Sequence, residues 1–95
     1  MTKRLECEIE GRVQLVMFRD FVKRKAESLG IKGTVENMKN ENVYVVAEGE
    51  EENLKTFLEE LKKGSMFSKV TNVREKWLEY KNEFTEFSIT FYGRR

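Results

Sequence analysis

Apolar and polar residues alternate near the start of the chain, where Leu5, Cys7 and Ile9 interleave with Arg4, Glu6, Glu8 and Glu10. A period of two predicts a half-buried strand, ending at Glu10. Phe18, Phe21, Val22, Ala26 and Leu29 then recur at helical spacing, with Asp20, Lys23, Arg24 and Glu27 filling the other face. Gly30 is placed to close that helix. Residues 31–38 and 43–49 read as two more strands. The Lys39-Asn40-Glu41-Asn42 stretch between them has the length and asparagine content of a hairpin turn, so the pair should be antiparallel. Leu54, Phe57, Leu58 and Leu61 define a second amphipathic helix, opened by Glu50, Glu51 and Glu52, closed by Lys62 and Lys63, and stopped at Gly64. Both charge sets complement the helix dipole. Val70, Val73, Trp77 and Leu78 predict a strand from Val70 to about Trp77, although its alternation is imperfect. Lys81-Asn82-Glu83 reads as a turn, and Phe87, Ile89 and Phe91 alternate with Ser88, Thr90 and Tyr92 in a last strand.

The element order is β-α-β-β-α-β with an additional C-terminal strand. Each βαβ half prefers a right-handed crossover. Two such halves predict an α+β, ferredoxin-like split βαβ sandwich, an antiparallel sheet with both helices on one face. A chain of 95 residues is expected to form a single domain, 1–95, around one core.

Composition narrows the chemistry. Histidine is absent and Cys7 is the lone cysteine. That removes Ser-His and Cys-His nucleophile pairs, histidine metal sites and an internal disulfide, so no metal or cofactor is expected. The formal net charge of +1 argues against a broad nucleic-acid surface or a polybasic membrane anchor. The start of the chain lacks the apolar core of a signal peptide, and no stretch approaches the roughly 20 apolar residues of a membrane helix. The expectation is a cytoplasmic monomer with no membrane or nucleic-acid partner. Cys7 shares the apolar parity of its strand and reads as a small buried hydrophobe.

The candidate site is the connection Gly11-Arg12-Val13-Gln14-Leu15-Val16-Met17-Phe18-Arg19, between the first strand and the first helix. A helix start presents backbone N–H groups without helical partners, together with the positive end of the dipole. Such ends bind phosphate-like anions, and the fork of Arg19 suits phosphate oxygens. A strand–turn–helix opening is also common in domains that bind no anion, and Arg19 could equally be a solvated helix residue. An asparagine before a turn, as Asn37 is, can likewise cap its own backbone.

Two motifs bear on that choice. Gly11-Arg12-Val13-Gln14, with Val16, Phe18 and Arg19, resembles the acylphosphatase signature G-x-V-Q-G-V-x-[FY]-R. Gly33-Thr34-Val35-Glu36-Asn37 resembles the second signature of that family, G-x-V-x-N. Gly49, Gly64-Ser65 and Phe87-Ser88-Ile89 extend the similarity over almost the whole chain. The resemblance implies hydrolysis of acyl phosphates to carboxylate and inorganic phosphate. It implies a backbone phosphate cradle at Gln14, Leu15, Val16, Met17, Phe18 and Arg19, an Arg19 clamp, and an Asn37 side chain that orients the attacking water. Such a site needs no histidine, because a carboxylate leaves without a general acid and phosphoryl transfer asks mainly for positioning and charge stabilisation. Two departures stand out. Leu15 occupies the place of a family glycine, which keeps open a catalytically impaired module that only binds phosphate. The packed apolar run after it favours an ordinary negative φ there. Asn40-Glu41 replaces the Asp-Gly often found in the hairpin, and the tolerance of asparagine for left-handed geometry predicts a reshaped turn.

Overall fold

The computed structural model describes residues 1–14 and 17–91. The elements are β1 (Thr2–Arg12), α1 (Phe18–Ser28), β2 (Lys32–Asn37), β3 (Val43–Glu50), α2 (Glu51–Lys63), β4 (Lys69–Glu79) and β5 (Phe87–Thr90). Among the described residues, five strands form one sheet in the order β4-β1-β3-β2-β5. The ferredoxin-like arrangement is as the element order predicts. The sheet, however, is mixed and not purely antiparallel. β1 pairs antiparallel with β3 and β4, and β2 antiparallel with β3, but β5 runs parallel to β2, with Gly33 opposite Phe87 and Glu36 opposite Thr90. The physical reason is the route of the chain. β4 ends at one edge of the sheet and the connection crosses to the other edge, which sets the direction in which β5 enters. Among the described residues, no helix is long and apolar enough to cross a membrane.

Leu5, Cys7 and Ile9 of β1 face Ala47, Val45 and Val43 of β3, and all six are buried beneath the helices. Phe18, Val22 and Ala26 of α1 and Leu54, Phe57, Leu58 and Leu61 of α2 close the core from above. Phe87 enters from β5 and meets Phe57 edge-on, with ring centroids 6.2 Å apart, a favoured aromatic geometry.

β1 runs two residues beyond the expected end at Glu10, and its last pairings with β4 explain that strand's irregular alternation. Glu10 faces Asn72 while Gly11 faces Val70, so Thr71 is the extra residue of a bulge. Val73 and Val70 thus share the core-facing side although they are three residues apart. Gly11 has φ +126°, and a Cβ there would lie 2.0 Å from the Lys69 carbonyl oxygen. Only glycine lets the strands approach this closely, and the bulge turns the chain out of the sheet toward the candidate site.

The other face of the sheet carries polar residues. Arg4 and Glu48 are almost wholly buried there, 6% and 2% exposed at the side chain, with N–O separations of 3.0 Å to Glu6 and 3.2 Å to Glu48. Arg4 also pairs with Glu83. Glu48 further accepts the Lys81 and Glu83 backbone N–H groups, at 2.8 and 3.0 Å. These bonds strap the β4–β5 connection over the sheet at the end where β1 begins.

Candidate active site

The described residues of the predicted site lie at the opposite end of the sheet, where β1 and β2 end and α1 begins. Val13 is fully buried and fixes the chain where it leaves β1. Leu15 and Val16, two of the six cradle positions, lie outside the described residues, and the backbone conformation expected for Leu15 lies there with them. Met17 caps α1 with φ 77° and ψ 0°, a left-handed conformation, and its side chain is exposed. A non-glycine residue there costs about 1–2 kcal/mol, strain of the kind that collects at functional loops. The first helical bond joins the Phe21 N–H to the Met17 carbonyl at 2.8 Å. The N–H groups of Phe18, Arg19 and Asp20 lie ahead of that ladder and have no helical acceptor. Phe18 is itself buried and packs on Phe21, centroids 5.7 Å apart, so the core holds this helix start in place.

Arg19 sits one residue further on, half-buried. Its guanidinium carbon lies 5.9 Å from the centre of the Phe91 ring, within the range of a cation–π contact. No carboxylate among the described residues pairs with Arg19, and the acid next to it in sequence, Asp20, is engaged by Arg24 at 3.0 Å. Phe91 follows Thr90, which is in register with Glu36, so Phe91 leaves the sheet beside Asn37. Asn37 ends β2 on the parity of Val35, the helix-facing side. Its side-chain Oδ1 is buried and accepts no hydrogen bond from a described residue. Asn40 and not Asn37 caps the hairpin, its Oδ1 accepting the Asn42 N–H at 3.1 Å.

These are the positions that the two signatures place together, and the whole-chain comparison decides the family. The acylphosphatase family model matches residues 5–89. The chain belongs to the acylphosphatase family. An acylphosphatase from Caldanaerobacter subterraneus subsp. tengcongensis is 45% identical over 89 residues, spanning 94% of this chain and 99% of that protein. One from Thermotoga maritima is 42% identical over 90 residues, spanning 95% and 99%. A crystal structure of acylphosphatase from Bacillus subtilis matches with a TM-score of 0.89 at 37% identity, covering 95% of this chain and 99% of that one.

Within this acylphosphatase frame, further contacts bind the site together. The Gln14 side-chain Nε2 donates to the Met38 and Asn42 carbonyls at 2.6 and 2.8 Å. The Glu8 carboxylate accepts from the Asn42 and Asn40 amides at 2.5 and 3.1 Å. Those two amide bonds, the Asn42 one foremost, hold Glu8 below the usual carboxylate range, with Arg74 assisting. The left-handed residue of the turn is Glu41, φ 74°, the residue that stands in place of the family's glycine, and not the asparagine expected to carry it. Cys7 takes no part. It is buried in the core, and burial foremost, then the charge of Glu75, pushes its thiol up to about 12, which leaves no thiolate to act as a nucleophile. Sequence reading missed the Gln14 side chain and Phe91. The first was assigned through its backbone alone, and the second carried only the alternation of a strand.

Proposed function

We propose that the protein hydrolyses acyl phosphates to carboxylate and inorganic phosphate at the end of the sheet where α1 begins. The reading is supported by three features at one end of the sheet: an α1 start whose first N–H groups have no helical acceptor, an Arg19 that no carboxylate among the described residues pairs with, and an Asn37 Oδ1 that accepts no hydrogen bond from a described residue. The phosphate lies on the backbone N–H groups of residues 14–19, and the Arg19 guanidinium takes the equatorial charge as it develops. Asn37 Oδ1 accepts a hydrogen bond from the attacking water. The water oxygen bonds to phosphorus as the phosphorus–oxygen bond to the acyl group breaks. The electron pair leaves with the carboxylate, and the water's proton passes to a phosphate oxygen. Each of these steps is served by Arg19, Asn37 and backbone, so the reading uses no metal or cofactor.

The same reading has the 95-residue chain act as one unit, a cytoplasmic monomer, with Cys7 kept as a free buried thiol. It gives the sheet no nucleic-acid role: Tyr44, the aromatic residue of β3, is hydrogen-bonded to Glu6 at 2.6 Å. A second reading, a module that binds phosphate without turnover, is favoured by Leu15 at the glycine position of the family. Turnover of a simple aryl acyl phosphate, with inorganic phosphate as competitor, separates the two. The wild-type chain should turn over. Arg19→Ala should lose turnover and phosphate competition together while its melting temperature stays within a few degrees. Near-normal turnover by Arg19→Ala would refute the site.

A further inference from the structure

We infer that Gln14 is a positioning residue, whose side chain fixes the hairpin carrying Asn37 to the loop carrying the phosphate cradle. This rests on the reading of Asn37 and the cradle given above. Both side-chain N–H donors of Gln14 are consumed, one by the Met38 carbonyl at 2.6 Å and one by the Asn42 carbonyl at 2.8 Å. Those carbonyls are the two ends of the hairpin's closing bonds, since the Met38 N–H donates to Asn42 at 2.8 Å and the Glu41 N–H to Met38 at 3.2 Å. Met38 is the residue after Asn37. From the far side, Glu8 of β1 holds Asn40 and Asn42, and Arg74 of β4 holds Glu8 at 3.2 Å. The turn is thus gripped on both flanks, once from the cradle and once from the sheet.

The chemistry of the clamp selects glutamine. Two carbonyl oxygens must be met by two donors on one nitrogen, without charge, at the reach of a two-methylene stem. Glutamate would offer acceptors to acceptors. A displacement of about 1 Å between water and phosphate can cost on the order of 100-fold in rate, so a loose hairpin should tax turnover more than phosphate binding. The backbone N–H of residue 14 stays in place whatever the side chain, so cradle and clamp can be tested separately.

Gln14→Met keeps the length and removes both donors. It should lower kcat by about 10-fold or more while the inhibition constant of inorganic phosphate stays within about 2-fold. Gln14→Leu serves in its place should Gln14→Met not fold. The decisive measurement repeats the substitution in an Asn37→Ala background. If Gln14 acts through Asn37, the second loss should vanish there, because the two residues act as one unit. A kcat unchanged by Gln14→Met, or lowered by the same factor in both backgrounds, would overturn the inference alone. Full turnover by Asn37→Ala by itself would overturn the reading of Asn37 and this inference with it.

Discussion

A buried amide oxygen that accepts no hydrogen bond, as Asn37 Oδ1 accepts none from the described residues, costs about 1–3 kcal/mol relative to a satisfied one. Native folds keep few such atoms, and a catalytic role is one reason to keep one. No described residue is held by Oδ1, so its removal should separate function from stability. Asn37→Ala is expected to lower turnover by roughly 100-fold or more while inorganic phosphate still competes. Its urea midpoint should be unchanged or higher, against the loss of about 1 kcal/mol typical of point substitutions. A large loss of stability would show that the amide serves the fold. Met17 makes a related trade. Its left-handed backbone costs conformational energy at the N-cap of α1, within the proposed cradle.

The β2–β3 hairpin shows the same economy with a different residue. Glu41 holds φ 74° with its neighbours fixed by Asn40, Asn42 and Gln14. Glycine adopts that backbone without steric cost but adds entropy to the unfolded chain. With a left-handed penalty of about 1–2 kcal/mol, Glu41→Gly should raise stability by about 0.5–1 kcal/mol, seen as a higher melting temperature with activity retained. The helices were legible because their apolar spacing and terminal charges are local. Leu54, Phe57, Leu58 and Leu61 are the buried face of α2 as their spacing predicts. The Thr71 bulge was not legible, because it belongs to a pairing between segments about 60 residues apart in the chain. Nor was the direction of β5, since alternation is the same whichever way a strand runs. Arg19 and Asn37 could be named from their motifs, but the Gln14 clamp spans 24 and 28 residues and leaves no periodic trace.

Across the whole molecule, the two ends of the sheet have separate duties. One end carries the proposed site. The other carries the strap formed by Arg4, Glu48 and Glu83. Burial alone would raise the Glu48 carboxyl, but the Glu83 and Lys81 N–H groups, and then Arg4, outweigh it and hold it below its ordinary value of 4.5. A depressed folded value means that the stability Glu48 contributes is present above its unfolded value and is lost as pH falls through its folded value. Stability should therefore begin to fall near pH 4.5 and continue downward, with Glu8 titrating in the same direction. Glu48→Gln should cost about 1–3 kcal/mol at neutral pH and flatten that acid limb, while kcat at neutral pH holds. An acid limb as steep as that of the parent chain would remove Glu48 from this account.

Cys7 lies on an interior strand, bonded to neighbours on both sides through β3 and β4, and its thiol is both enclosed and high in pKa. Its side chain lies beneath the helices, so a labelling reagent can reach it only after the helix layer has lifted from the sheet or the fold has opened. The protein thus carries a built-in clock: with a reagent in excess, the rate of modification of this thiol reads how often the core between helices and sheet opens, whatever happens at the start of α1.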